Sequence, residues 1–133
     1  MKRIISILIC AFVLMTTAAV IAAASDNGVY VYVIDDTEYT VEFSDNSISA
    51  EKKELIAQSL VGLTDDSAQT YGLGCTLFGH DYKYTTSAVT IHKAYTSAPR
   101  CQRSIYDVTY CEDCDYSEQT LVSIRRIDCC PED

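Results

Sequence analysis

The sequence predicts a mostly β chain of the α+β class. It should comprise an N-terminal β-hairpin and one helix, then a small antiparallel meander that is either zinc-ribbon-like or stabilised by disulfides. Three observations predict this. Residues 29–43 and 82–127 are rich in Tyr, Thr, Val and Ile and largely alternate with period two. Residues 49–62 carry a capped helical pattern. Six of the seven cysteines, Cys75, Cys101, Cys111, Cys114, Cys129 and Cys130, lie in the second half.

In the first half, "VYVYVI" is built from β-branched and aromatic residues, "DDTE" reads as a turn, and "YTVEF" alternates apolar with polar, so the three form a hairpin. In "SAEKKELIAQSLVG", Ser49 is a good N-cap, Glu51 and Glu54 favour the helix start, and Gly62 suits the position just past its end. Ile56, Leu60 and Leu63 recur at helical spacing, so one face can lie on the hairpin. In the second half, "DYKYTT", "AVTIHKAY", "RSIYDVTY" and "SEQTLVSIRRI" read as strands. Ser87, the segment 97–99 and the turn "CEDC" separate them. No helical period is read after Leu63. The ten tyrosines mostly alternate within strands, which favours packing over carbohydrate stacking. Arg125 and Arg126 are expected to protect an edge strand.

The N-terminal stretch bears on compartment. Lys2 and Arg3 precede an uncharged apolar run over residues 4–20. Ala22, Ala23 and Ala24 then supply small residues before the polar Ser25 and Asp26. This is the pattern of a secretory signal peptide, residues 1–24, cut after Ala24. The competing reading is an uncleaved membrane anchor, since residues 4–24 are about long enough to span a bilayer. Cleavage leaves 8 of the 10 basic residues against all 19 acids, a net charge of −11. Such a chain is repelled by nucleic acid and by anionic headgroups, which excludes nucleic-acid binding. Cysteine usage then divides the exported part into an acidic hairpin-helix segment (25–66), a polar linker (67–74) and a Cys-rich β domain (75–133).

Cysteine chemistry is the most specific feature. Export leaves six cysteines, an even number that permits three disulfides. Yet Cys111 and Cys114, two apart at a hairpin tip, have the knuckle spacing of a zinc ribbon. Cys101, Cys111 and Cys114 with His80 or His92 would make a sound zinc set. Cys75, Cys129 and Cys130 are the disulfide candidates. The adjacent Cys129 and Cys130 point to opposite faces of a strand and would take different partners, one bridged to Cys75 and, in an all-disulfide scheme, the other to the Cys101–Cys114 group. An all-disulfide scheme competes with this mixed one. A redox role for the Cys111–Cys114 pair is disfavoured, because Glu112, Asp113 and Asp115 surround it and no helix N-terminus lowers its thiol pKa. A Cys–His nucleophile lacks any orienting motif. The acids Asp35, Asp36, Glu38, Asp65 and Asp66 match no calcium-loop spacing and read as a solvated face.

The stretch "GHDY…APRCQRSIYDVTYCEDCDY" resembles a module repeated in surface proteins of Gram-positive bacteria. That module has Gly-His, then Ala-Thr-Cys, nine residues, and Cys-x-x-Cys-Gly-Tyr. Gly79, His80, Cys101, Cys111, Cys114 and Tyr116 fall in the corresponding places. Asp115 stands where the module has glycine, a residue that permits a left-handed backbone. The wider pattern, "CTLFGHDY…HKAY…PRC…YDVTYCEDCDY…CCP" after a signal peptide, resembles small secreted Cys-rich proteins of clostridia-type Firmicutes, a family without an assigned activity. That resemblance implies a bacterial source and an exported location.

The expectation is therefore a secreted bacterial, non-enzymatic interaction or structural protein with a Cys/His zinc site and an extracellular or cell-surface partner. It would touch a membrane only if the signal segment is retained. The alternative is an exported, disulfide-stabilised effector or toxin-like peptide, with residues 25–74 as a propeptide.

Overall fold

The computed structural model describes residues 21–25, 28–64 and 72–130. Residues 1–20 of the expected signal segment, most of the expected linker, Asp65 and Asp66 lie outside the described residues. Among the described residues, six strands form one antiparallel sheet in sequential order: β1 (Ile21–Ser25), β2 (Val29–Ile34), β3 (Thr37–Phe43), β4 (Tyr82–Ile91), β5 (Cys101–Cys111) and β6 (Ser117–Ile127). Two helices, α1 (Ala50–Leu60) and α2 (Leu73–Phe78), complete it. The mostly β, α+β architecture matches the expectation.

Local chemistry accounts for the first elements. Asp35 and Asp36 turn the β2–β3 hairpin with φ of 49° and 61°, the left-handed pair that a two-residue loop needs to match strand twist. Ser49 caps α1 by accepting a hydrogen bond from the Lys52 N–H, and Gly62 follows the helix at φ 77°. Ile56 and Ala57 are fully buried against the sheet, with Leu60 and Leu63 packed at the margin.

Strand alternation divides the sheet into two unlike faces. Tyr30, Val41, Val89 and Ser104 align across β2 to β5 on the face that α1 covers. Tyr32, Phe43, Val108 and Tyr110 join the same core. Packing therefore explains the buried tyrosines. The opposite face is polar in its middle, where Arg103 pairs with Glu42 at 2.6 Å and also reaches Thr90.

Several features depart from the sequence reading. Strand β3 pairs with β4, from Tyr39↔Ile91 to Phe43↔Ser87, so the acidic segment and the Cys-rich segment share one sheet and one core. Ser87 does not break the chain between two strands. It is 1% exposed within the continuous strand β4, because it sits in register between Phe43 and Tyr106 on the covered face. The missed helix α2 is only six residues long and exposes Leu73, Leu77 and Phe78, so it carries no one-sided apolar pattern to read. Residues 21–25, which span the expected cleavage point of the signal segment, pair with β2 as an edge strand in the uncut chain. Asp35 and Asp36 are exposed turn residues, in keeping with a solvated face.

Candidate metal centres

Strand β5 begins at Cys101 and ends at Cys111. Ten positions apart, the two side chains share one face, opposite α1, and their backbones are separated by about 33 Å of strand rise. Each end gathers three sulfurs and one imidazole. Cys75, His80, Cys111 and Cys114 meet at one end, and His92, Cys101, Cys129 and Cys130 at the other. Within each group the donor atoms all lie within 4.8 Å of one another.

The first group is assembled by three elements. Helix α2 delivers Cys75, the approach to β4 delivers His80, and the β5–β6 turn delivers Cys111 and Cys114. Cys75 Sγ is 3.6 Å from Cys111 Sγ, and Cys114 Sγ is 3.3 Å from His80 Nδ1. The turn closes through the Cys111 N–H, which donates to the Tyr116 carbonyl at 3.0 Å. The ammonium of Lys52 on α1 donates to the Cys114 carbonyl, tying helix to knuckle. The His80 ring packs against Tyr116 and Tyr82, with centroids 4.9 and 5.4 Å away, and the two tyrosines also meet each other at 5.5 Å. Gly72 lets the chain pass close to the turn at the approach to α2, where a Cβ would lie 3.2 Å from the Asp113 carbonyl oxygen. Asp115 is not left-handed: the non-glycine residues with positive φ are Asp35, Asp36 and Lys93 among the described residues. Glycine is thus not required after the second cysteine of this turn.

Electrostatics at this end favour a thiolate at Cys111 and a neutral thiol at Cys75. Burial pushes the Cys75 thiol up to about 12, and its contacts with Cys111 and Cys114 push in the same direction. Burial also acts to raise Cys111. There it is outweighed by a hydrogen bond from the Asp113 backbone and by His80, Cys75 and Cys114, which together bring Cys111 down to about 6. A thiolate is the form that binds metal.

The second group joins His92, just past β4, to Cys101 at the start of β5 and to the pair that follows β6. Cys101 and Cys129 are bridged as a disulfide. Cys130 Sγ lies 3.3 Å from Cys101 Sγ. His92 Nδ1 is 3.3 Å from Cys129 Sγ and 3.4 Å from Cys130 Sγ. The far side of the ring is held by β3: Nε2 is 2.9 Å from Thr40 Oγ1 and 3.6 Å from a Glu38 carboxylate oxygen. Arg126 closes the neighbouring loop by donating to the Ser97 and Pro99 carbonyls and lying over the Tyr95 ring at 3.8 Å.

The expected residues are thus gathered differently from the expected sets. Cys111 and Cys114 stand together with His80, and the third sulfur beside them is Cys75. Cys101 and His92 stand at the far end with Cys129 and Cys130. Cys75 has Cys111 as its near neighbour instead of Cys129 or Cys130, while the bridge from Cys129 runs to Cys101, within the group expected to take one of that pair.

Both groups have the residues to hold a metal ion, the second only when its Cys101–Cys129 bridge is reduced. Tetrahedral zinc with Zn–S of about 2.3 Å and Zn–N of about 2.0–2.1 Å places neighbouring ligand atoms about 3.5–3.8 Å apart. Two separations in the first group, 3.3 Å for Cys114 Sγ to His80 Nδ1 and 3.6 Å for Cys75 Sγ to Cys111 Sγ, fall close to that range. No family model, curated protein or solved structure matches the chain.

Proposed function

We propose that this is an exported, non-enzymatic structural or interaction module in which zinc, held by Cys75, His80, Cys111 and Cys114, fixes one end of a β-meander. The observation that carries the reading is the convergence of three buried thiols and an imidazole from α2, the β4 approach and the β5–β6 turn. Three sulfurs and one nitrogen in tetrahedral reach suit zinc better than a hard cation, which would want oxygen ligands. With four protein ligands the site would be closed, which is the structural rather than the catalytic form. The apolar run over residues 4–20 and the alanines that follow support export, and the polar outer face of the sheet suits an extracellular surface.

The Cys101–Cys129 bridge favours a second reading, an exported disulfide-stabilised effector. The core favours keeping residues 25–74 as a lasting part of it: among the described residues, seven of the ten buried in the main core come from that segment. Expression with the native N-terminus in a Gram-positive host tests the proposal. A chain recovered from the medium beginning at Ser25, with zinc that co-purifies and thiols at Cys75, Cys111 and Cys114, is the expected result. A chain retained in the cytoplasm, or one oxidised within this trio, would overturn it.

A further inference from the structure

The two groups differ in one respect that their shared ligand set conceals. In the first, Cys75, Cys111 and Cys114 are buried and the Cys75–Cys111 approach is 3.6 Å. In the second, Cys129 is exposed, Cys130 is half-buried, and Cys129 is already joined to Cys101. A disulfide needs only those two residues. It gives no role to Cys130, whose sulfur lies 3.3 Å from Cys101 Sγ and 3.9 Å from Cys129 Sγ. Nor does it give one to His92, whose Nδ1 is aimed at both sulfurs of the Cys129–Cys130 pair. The clamp of Thr40 and Glu38 on Nε2 is what a metal-ligating imidazole requires, because a proton held on Nε2 leaves the Nδ1 lone pair facing the sulfurs.

We propose that His92, Cys101, Cys129 and Cys130 form a second zinc site that exchanges its metal for a disulfide. In the reduced chain, three thiolates and His92 Nδ1 hold one zinc dication. A low-molecular-weight disulfide then acts as oxidant. The exposed Cys129 thiolate attacks one of its sulfurs, forming a mixed disulfide and releasing one thiolate. The Cys101 thiolate next attacks Cys129 Sγ, forming the Cys101–Cys129 bond and releasing the second thiolate. Two electrons pass from the cysteine pair to the oxidant, zinc leaves as the dication, and Cys130 is left as the unbridged cysteine beside His92. The first group keeps its metal because its sulfurs are shielded from the oxidant. This inference does not rest on zinc occupying the first group.

The test uses the full chain, reduced, loaded with zinc and titrated with oxidised glutathione. Native mass spectrometry counts metal, and peptide mapping locates disulfides. The expected result is loss of one zinc per chain in step with a Cys101–Cys129 crosslink, reversed by a thiol reductant and added zinc. Cys130→Ser should weaken zinc at this end by at least about 10-fold while leaving the crosslink able to form, a readout that a purely structural disulfide would not give. A reduced chain whose zinc content is unchanged by His92→Ala and Cys130→Ser overturns the proposal. So does zinc that oxidised glutathione leaves in place, or a bridge that forms without metal release. Failure of the first centre is distinguished by Cys75→Ser, which removes metal from that end alone.

Discussion

Thr40 Oγ1 lies 2.9 Å from His92 Nε2 across the β3–β4 pairing. The contact links the acidic first half of the chain to a cysteine group in the second half. It also orients the imidazole from behind, so that Nδ1 rather than Nε2 meets the sulfurs. Removing such an outer partner typically costs about 10–100-fold in metal affinity. Thr40→Val should therefore weaken zinc binding by about 10-fold at the His92 end under reducing conditions, with the Cys75 end unchanged. Competition against a chromogenic chelator, one site at a time, measures this.

Ile56 is fully buried between α1 and the sheet. Ile56→Ala should destabilise the fold by about 2–5 kcal/mol in urea or thermal unfolding. Phe78, 90% exposed on α2, offers the contrast: Phe78→Ala should change stability by less than about 0.5 kcal/mol.

Tyr32 is 1% exposed, and its hydroxyl finds no hydrogen-bond partner among the described residues. Burial, with the nearby Glu54 charge and Tyr30, pushes its phenol up to about 12. The unfolded phenol ionises near its ordinary value of about 10, so between about 10 and 12 the unfolded state has lost a proton that the folded state keeps. Stability should be insensitive to this group below about pH 10 and fall as pH rises toward 12. Tyr32→Phe should flatten that alkaline decline and add about 1 kcal/mol at neutral pH, since it removes an unpaired buried hydroxyl. Chemical denaturation at stepped pH values reads both effects.

The outline of the fold was legible because its signals are local. The two-aspartate turn, the Ser49 cap, Gly62 and the alternation in "SEQTLVSIRRI" each depend on a few adjacent residues. Ser87 misled because serine is a common turn residue, yet a small side chain also fits a covered strand position between Phe43 and Tyr106. The grouping of ligands was harder, since it depends on which strand ends meet. A signal was present all the same. His80 and His92 bracket β4, while Cys101 and Cys111 bracket β5. Antiparallel pairing of strands of matching length places His80 with Cys111 and His92 with Cys101, as Tyr82↔Cys111 and Ile91↔Gln102 do here. The knuckle spacing of "CEDC" and zinc's preference for thiolate drew Cys101 toward Cys111 and Cys114, although a continuous strand holds the two ends about 33 Å apart.

The zinc content of the reduced chain before and after Cys75→Ser tests the central claim most directly. With Cys75, His80, Cys111 and Cys114 as one centre, the variant should lose one tightly held zinc per chain, and Cys111 and Cys114 should become open to alkylation in the native state. An unchanged zinc count, with Cys111 and Cys114 still protected, would mean that Cys75 holds no metal and would contradict the account.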